Sequence, residues 1–184
     1  MSNAKDPEFI DFEYNNDQND LEGYVMKDDL SASARKVQQA LVVLGMNCNV
    51  VELPASTRTV REAAQAVGCE VGQIVKSIVM MGSATHRPVM VIASGSNRIN
   101  ESRIGEILEE AIEKADAEFV RIHTGYAIGG VPPVGLSSQV ITFIDEDLLK
   151  YSTVWAAAGT PHAVFEFNPL DLPRMTGGKV ISIK

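Results

Sequence analysis

The run GQIVKSIVMMGSATHRPVMVIASG, Gly72 to Gly95, carries two apolar stretches on either side of a polar turn. Ile78 to Met81 are continuously apolar, and Pro88 to Ala93 form a second such run. Short apolar runs bounded by glycine read as buried strands, and the polar residues Ser83 to Arg87 between them predict a hairpin. The residues just before Ile74 predict a short helical turn that passes into the first strand. The centre of the protein is therefore expected to be a β-sheet.

Upstream, Leu30, Ala34, Val37, Leu41 and Leu44 recur at helical spacing, with Asp28, Asp29 and Ser31 at the start and Gly45 at the stop. CNVVELP reads as a short strand closed by Pro54. Thr59 and Glu62 stand at the spacing of a capping box, and Gly68 supplies a C-terminal stop, which predicts a second helix over Val60 to Val67. Downstream, NESRIGEILEEAIEKA predicts a helix through Ile104, Ile107, Leu108 and Ala111, capped by Asn100. QVITFID, TVWAAAG, HAVFEF and GKVISIK read as short strands, and EDLLKY as a brief turn of helix. Helices and strands interleave without the regular rhythm of a doubly wound sheet, so the expected class is α+β around a mixed sheet.

The chain has 184 residues, of which 45% are hydrophobic, enough for one domain with a sizeable core. Its net charge is −8, but residues 1–29 hold nine acids against two lysines, leaving fifteen acids and fourteen bases in the rest. The body is thus close to neutral. Residues 1–27 are expected to form an acidic, flexible head whose opening residues read as a cloning remnant, and residues 28–184 the folded domain. No stretch reaches the roughly 18 apolar residues of a membrane span, and no signal pattern opens the chain, so a cytoplasmic protein is expected. Cys48 and Cys69 read as small apolar residues, and no histidine or cysteine spacing suits a metal; neither metal nor cofactor is expected.

Three features stand apart from plain packing. Lys76 lies within IVKSIVMM, flanked by apolar residues: it either reaches solvent from a strand end or holds its ammonium over a polar pocket, where it can grip an oxygen. The loop GYAIGGVPPVG places Gly129 beside Gly130, so two bare amides could converge on one oxygen, with Pro132 and Pro133 as stiffeners; the plain alternative is a surface turn. It lacks the lysine of a phosphate-binding P-loop and the spacing of a dinucleotide site. In WAAAGTPHAVFEF, the small residues Ala156 to Gly159 suit either tight strand packing or the wall of a narrow pocket. His162 could act as a general base or serve as a hydrogen-bonded structural residue. Ser77, Ser94 and Ser137 lack the surroundings of a nucleophile, so no triad is legible.

Taken in order, GQIVKSIVM, VMVIASGSNRI, TGYAIGGVPPVG and AAAGTPHAVFEF resemble the YbaK and prolyl-tRNA-synthetase-associated editing domains. The resemblance runs from about Ser56 to Ile183. It implies a single-domain α+β fold with a mixed, strongly curved β-sheet flanked by helices. It also implies a metal-free hydrolase that acts in trans on the ester of a mischarged aminoacyl-tRNA. The lysine matching Lys76 then contacts substrate in the active site, and the loop matching Gly129 and Gly130 offers amides near the scissile carbonyl. Tyr126, Pro132, Pro133, Ala157, Gly159, Thr160 and His162 become candidate substrate-binding residues. The implied partners are the acceptor end of aminoacyl-tRNA and, as a candidate, prolyl-tRNA synthetase; the water is positioned or activated by the substrate's own ribose hydroxyl. Two departures are visible. Ala156, Ala157 and Ala158 stand where cysteine-specific members carry a serine, and Ser96-Asn97 stands where many relatives place an acid.

Two further readings stay open at this level. One is a catalytically silent module that binds an aminoacyl-adenosine-like ligand or a synthetase. The other is a lysine Schiff-base enzyme, which needs a carbonyl substrate or cofactor.

Overall fold

Two apolar strands form the middle of the sheet: β2 (Ile74–Gly82) and β3 (Pro88–Ser94) pair antiparallel, from Val75 opposite Ser94 to Met81 opposite Pro88. The computed structural model describes residues 30–54 and 57–184. The acidic head and the Asp28 and Asp29 helix start lie outside them. Around the hairpin come α1 (Ala32–Val43), β1 (Val50–Glu52), α2 (Val60–Val67), α3 (Glu101–Leu108), β4 (Ile112–Lys114) and α4 (Ala117–Thr124). They are followed by β5 (Ile141–Asp145), β6 (Val154–Ala157), β7 (Ala163–Phe167), α5 (Leu172–Thr176) and β8 (Lys179–Ile181). A single sheet runs β1-β7-β6-β2-β3-β5-β8, with β4 on β2 beside that path. Its pairs are both parallel and antiparallel, as the interleaved sequence pattern predicts.

Alternation along the central strands divides the core. Val75 and Val79 of β2, with Met90 and Ile92 of β3, face the larger cluster, where Ala34, Val37 and Leu41 of α1 meet Phe165 and Phe167. Met80, Val89, Val91 and Ala93 face the opposite side, against Ile104 of α3 and Ile183. Helix α1 starts at Ser31, whose hydroxyl accepts the Ala34 amide. Helix α2 has its full capping box: the Glu62 amide donates to Thr59 Oγ1, and the Thr59 amide donates to Glu62 Oε2. Gly68 ends it. Cys48 is buried and Cys69 half-buried, with burial pushing both thiols up.

The helix expected through Ala111 is shorter than its apolar spacing implies. It stops at Leu108, where Glu109 takes φ 59, and the chain turns into β4 instead. The cause is Glu110, whose carboxylate accepts the Ala84 and Thr85 amides and the Thr85 hydroxyl, and pairs with Arg87 at 3.6 Å. Those bonds pin the chain to the hairpin turn and bring Ile112 opposite Gly82. Helix α4 is not marked by apolar periodicity, since only Val120 and Thr124 of its residues are buried. Its ends are conventional: Asp116 accepts the Phe119 amide at 2.7 Å, and Gly125 follows its last turn. Helix α5 also escapes the sequence pattern. Among the described residues, no helix is long and apolar enough to cross a membrane.

Candidate active site

The central strand is not partnered evenly. Along one edge β3 covers its whole length, but on the other β6 pairs only Ile74 and Val75, and β4 only Met80 to Gly82. Residues 76–79 lie in the gap between those two partners, and a cleft of ≈ 440 Å³ opens there. Val60, Ala63 and Val67 of α2 contribute to its wall on one side; Ile128, Gly129 and Val131 of the glycine-rich loop also line it. Trp155, Ala156 and Ala157 of β6 complete its apolar lining.

Lys76 stands in this gap, half-buried. Its Nζ donates to the Asn97 carbonyl at 2.6 Å, a backbone acceptor presented by the turn after β3. Asn97 is itself held by two carboxylates, donating from Nδ2 to Asp145 Oδ2 at 2.8 Å and to Asp147 Oδ2 at 2.7 Å. Asp145 is fully buried and also accepts the Ser94 and Asp147 amides. Asp147 pairs with Lys150 and Lys184, both at 2.5 Å, and hydrogen bonds from Lys150, Lys184 and Asn97 hold its carboxyl far below the usual carboxylate range. Burial lowers the pKa of Lys76, and the charge of Asp145 partly opposes that. Where the resemblance directs attention to an acid, this chain has Asn97, with the carboxylates one layer behind it.

Among the described residues, three cations line the cleft, Arg58, Lys76 and Lys114, and no Asp or Glu does. In a body that is close to neutral, that is a local excess of positive charge. Arg58 and Lys114 were not marked by any motif; one precedes α2 and the other ends β4. Among the described residues, no group of three or more His, Cys, Asp or Glu could hold a metal ion.

Of the candidate catalytic and substrate-binding residues, Lys76, Gly129 and Ala157 line the cleft. The two loop glycines differ. The Gly130 amide donates to the Ala127 carbonyl at 3.0 Å and so closes a turn, with Gly129 at φ 91 inside it. The two amides expected from the sequence to converge on one oxygen are therefore not equivalent, because the turn engages that of Gly130. The carbonyl of Gly130 accepts the Gly159 amide at 2.9 Å, tying this loop to the segment after β6.

A Cβ at Gly130 would lie 2.9 Å from both Cα and N of Thr160. Gly130→Ala is accordingly expected to destabilise the fold by about 1–3 kcal/mol through overpacking against backbone, read as a lower urea midpoint.

Tyr126, Pro132, Pro133, Gly159, Thr160 and His162 are not among the residues that line the cleft. Tyr126 is buried, donates its hydroxyl to the Gly135 carbonyl at 3.0 Å, and lies 5.1 Å beneath the Lys36 ammonium. Pro132 and Pro133 are buried. Thr160 Oγ1 accepts the amides of His162 and Ala163. The ring of His162 is exposed, and its main-chain carbonyl accepts the Leu53 amide.

The aminoacyl-tRNA editing domain model matches residues 54–175. A protein of Enterococcus faecalis, named provisionally as a Cys-tRNA(Pro)/Cys-tRNA(Cys) deacylase, is 26% identical over 121 residues, 65% of this chain and 73% of that one. A proline–tRNA ligase of Bacillus licheniformis is 31% identical over 120 residues, 65% of this chain but 20% of the ligase. A solved structure described provisionally as a trans-editing enzyme for prolyl-tRNA synthetase is 49% identical, with a TM-score of 0.80 over 84% of this chain and 98% of its own. With a matching model across the residues that build the cleft and a solved relative of the same architecture, the chain belongs to the aminoacyl-tRNA editing domain family.

Proposed function

We propose that the protein is a trans-acting aminoacyl-tRNA deacylase that hydrolyses the ester of a mischarged small amino acid. The observation that supports this reading is the cleft's charge: among the described residues, three cations and no carboxylate surround an apolar chamber, in a body that is otherwise close to neutral. Such a lining favours a ligand that is anionic on the outside and small and apolar at its tip, as the end of an aminoacyl-tRNA is. Ala156 and Ala157 leave room for a short side chain on that tip.

Hydrolysis adds water to the ester carbonyl carbon, and the C–O bond to the terminal ribose then breaks. The proton lost by the water passes to the departing ribose oxygen, leaving a free amino acid and a tRNA with its hydroxyl restored. With no carboxylate among the described residues that line the cleft, the neighbouring ribose hydroxyl of the substrate is the group that orients the water. Lys76 holds the ester end by charge, and the Gly129 amide donates to the carbonyl oxygen as it gains negative charge. Prolyl-tRNA synthetase, whose ligase relatives carry a matching segment, is the candidate partner, and the site of action is the cytoplasm.

The test is a panel of mischarged tRNAs incubated with the protein beside a deacylase of known activity. Release of a small amino acid from at least one member is expected. Failure to release any, while the control works, removes the reading.

A further inference from the structure

The gap in β2 leaves main-chain groups bare, and the registers identify which. The Gly95 amide donates to the Ile74 carbonyl at 2.7 Å, so the polar backbone groups of Ile74 face β3. In a strand the N–H and C=O of one residue point to the same edge, and successive residues alternate. The β2–β3 register is unbroken from Val75 to Met81, so Lys76, Ile78 and Met80 also face β3, while Val75, Ser77, Val79 and Met81 face the other edge. Pro88, which has no N–H, sits opposite Met81, where this phase asks nothing of it.

On the outer edge, the β6 register engages Val75, and the β4 register engages Met81 and closes on the Val79 carbonyl. Among the described residues, the N–H and C=O of Ser77 and the N–H of Val79 are left facing the cleft without a ladder partner. Ser77 Oγ adds to them: among the described residues it is the buried side-chain oxygen or nitrogen with no hydrogen-bond partner. Main-chain groups away from bulk water are paired almost without exception, and a strand edge left open in a cleft is a ready acceptor of one more rung.

We propose that this strip, Ser77 to Val79, is the docking site for the aminoacyl group itself. The inference rests on the deacylase reading and assigns its substrate's orientation. An aminoacyl ester is one residue of extended backbone: an α-ammonium, a Cα and a carbonyl. It fits where β6 leaves the sheet after Ala157, with its ammonium donating to the Ser77 carbonyl and its ester carbonyl oxygen accepting the Val79 amide. The Val79 amide then supplies the second donor that Gly130 cannot, opposite that of Gly129. The side chain of the amino acid is left beside Ala156 and Ala157, and the ribose beside Lys76.

The probe is 3′-alanylamido-3′-deoxyadenosine, in which an amide replaces the scissile ester. In ¹⁵N-resolved NMR spectra of the full chain, adding it is expected to shift the Ser77 and Val79 amides and to slow hydrogen exchange at Val79. Unmoved Ser77 and Val79 resonances at millimolar probe, whether or not Gly129 responds, overturn the docking mode. A second arm compares alanyl-tRNA with lactyl-tRNA, which carries a hydroxyl in place of the ammonium. Loss of one charge-assisted hydrogen bond predicts a kcat/KM lower by roughly 10- to 100-fold for lactyl-tRNA; equal rates overturn the assignment of the ammonium. Absence of turnover on every member of the mischarged panel would instead sink the deacylase reading, and the NMR arm is read without turnover.

Discussion

Replacing Lys76 by alanine is expected to lower kcat/KM for deacylation by about 10²- to 10³-fold, the usual loss when a positioned charge or donor leaves an active site. The fold should survive, because the lysine is half-buried and, among the described residues, its ammonium bonds the Asn97 carbonyl alone. Circular dichroism and the urea midpoint check that point. A catalytically silent module would behave differently: it could retain its partner with Lys76 gone, and would have no turnover to lose. The pH profile carries the same residue's signature. The ammonium is the form that holds an ester oxygen, so activity is present below the pKa of Lys76 and falls as pH rises through it. Burial lowers that pKa, so the alkaline limb belongs below the ordinary lysine range. The measurement is the enzymatic rate against pH after subtraction of uncatalysed ester hydrolysis, and a limb at the usual lysine value would contradict the assignment.

Asp145→Ala is expected to be the most destabilising substitution near the site. Its carboxylate is fully buried and accepts from the Ser94 amide, the Asn97 side chain and the Asp147 amide. Truncation leaves those donors short of an acceptor, at a cost of about 3–5 kcal/mol, measurable as a fall in unfolding free energy. Asp145→Asn, which keeps one carbonyl oxygen, should lose less. The activity of the folded fraction should fall as well, because Asn97 loses one of its two anchors and the carbonyl that fixes Lys76 is loosened. Intact activity per folded molecule in Asp145→Asn, with Lys76 titrating unchanged, would show that the support is dispensable.

How much of this was legible depends on the range of the forces involved. The capping box of Thr59 and Glu62 and the stop at Gly68 act within a few residues, so α2 could be bounded from sequence. The runs Ile78–Met81 and Pro88–Ala93 announce burial, and both are central strands. Apolar spacing misleads at Ala111 because the decisive partner, the hairpin turn at Ala84 and Thr85, is distant in sequence from Glu110. Lys76 was conspicuous as a charge among apolar neighbours. Arg58 and Lys114 were not, since each is an ordinary exposed basic residue until the fold brings it to the cleft. Gly130 and Tyr126, read from the sequence as site residues, donate to the Ala127 and Gly135 carbonyls, partners that no local pattern names. The bare strand edge has no local signature at all. It arises from where β6 and β4 stop.

The order of strands also has a kinetic consequence. Val50 lies opposite Phe165, Val75 opposite Ala156 and Val91 opposite Phe143, so the sheet is stitched largely by contacts between remote parts of the chain. Such wiring makes folding slow relative to helical proteins of similar size, because long loops must close before their pairings repay the lost entropy. During synthesis the β2–β3 hairpin emerges with both outer flanks uncovered, and β1 waits for β7 before it can join. The enzyme's cleft is thus among the last features to exist, and its apolar floor is exposed to other nascent chains until then. A translation-fidelity enzyme built this way depends on the completeness of its own translation: a chain released before β6 lacks the Trp155–Ala157 wall of the cleft, and its central strand edge stays open from Ile74 to Val79.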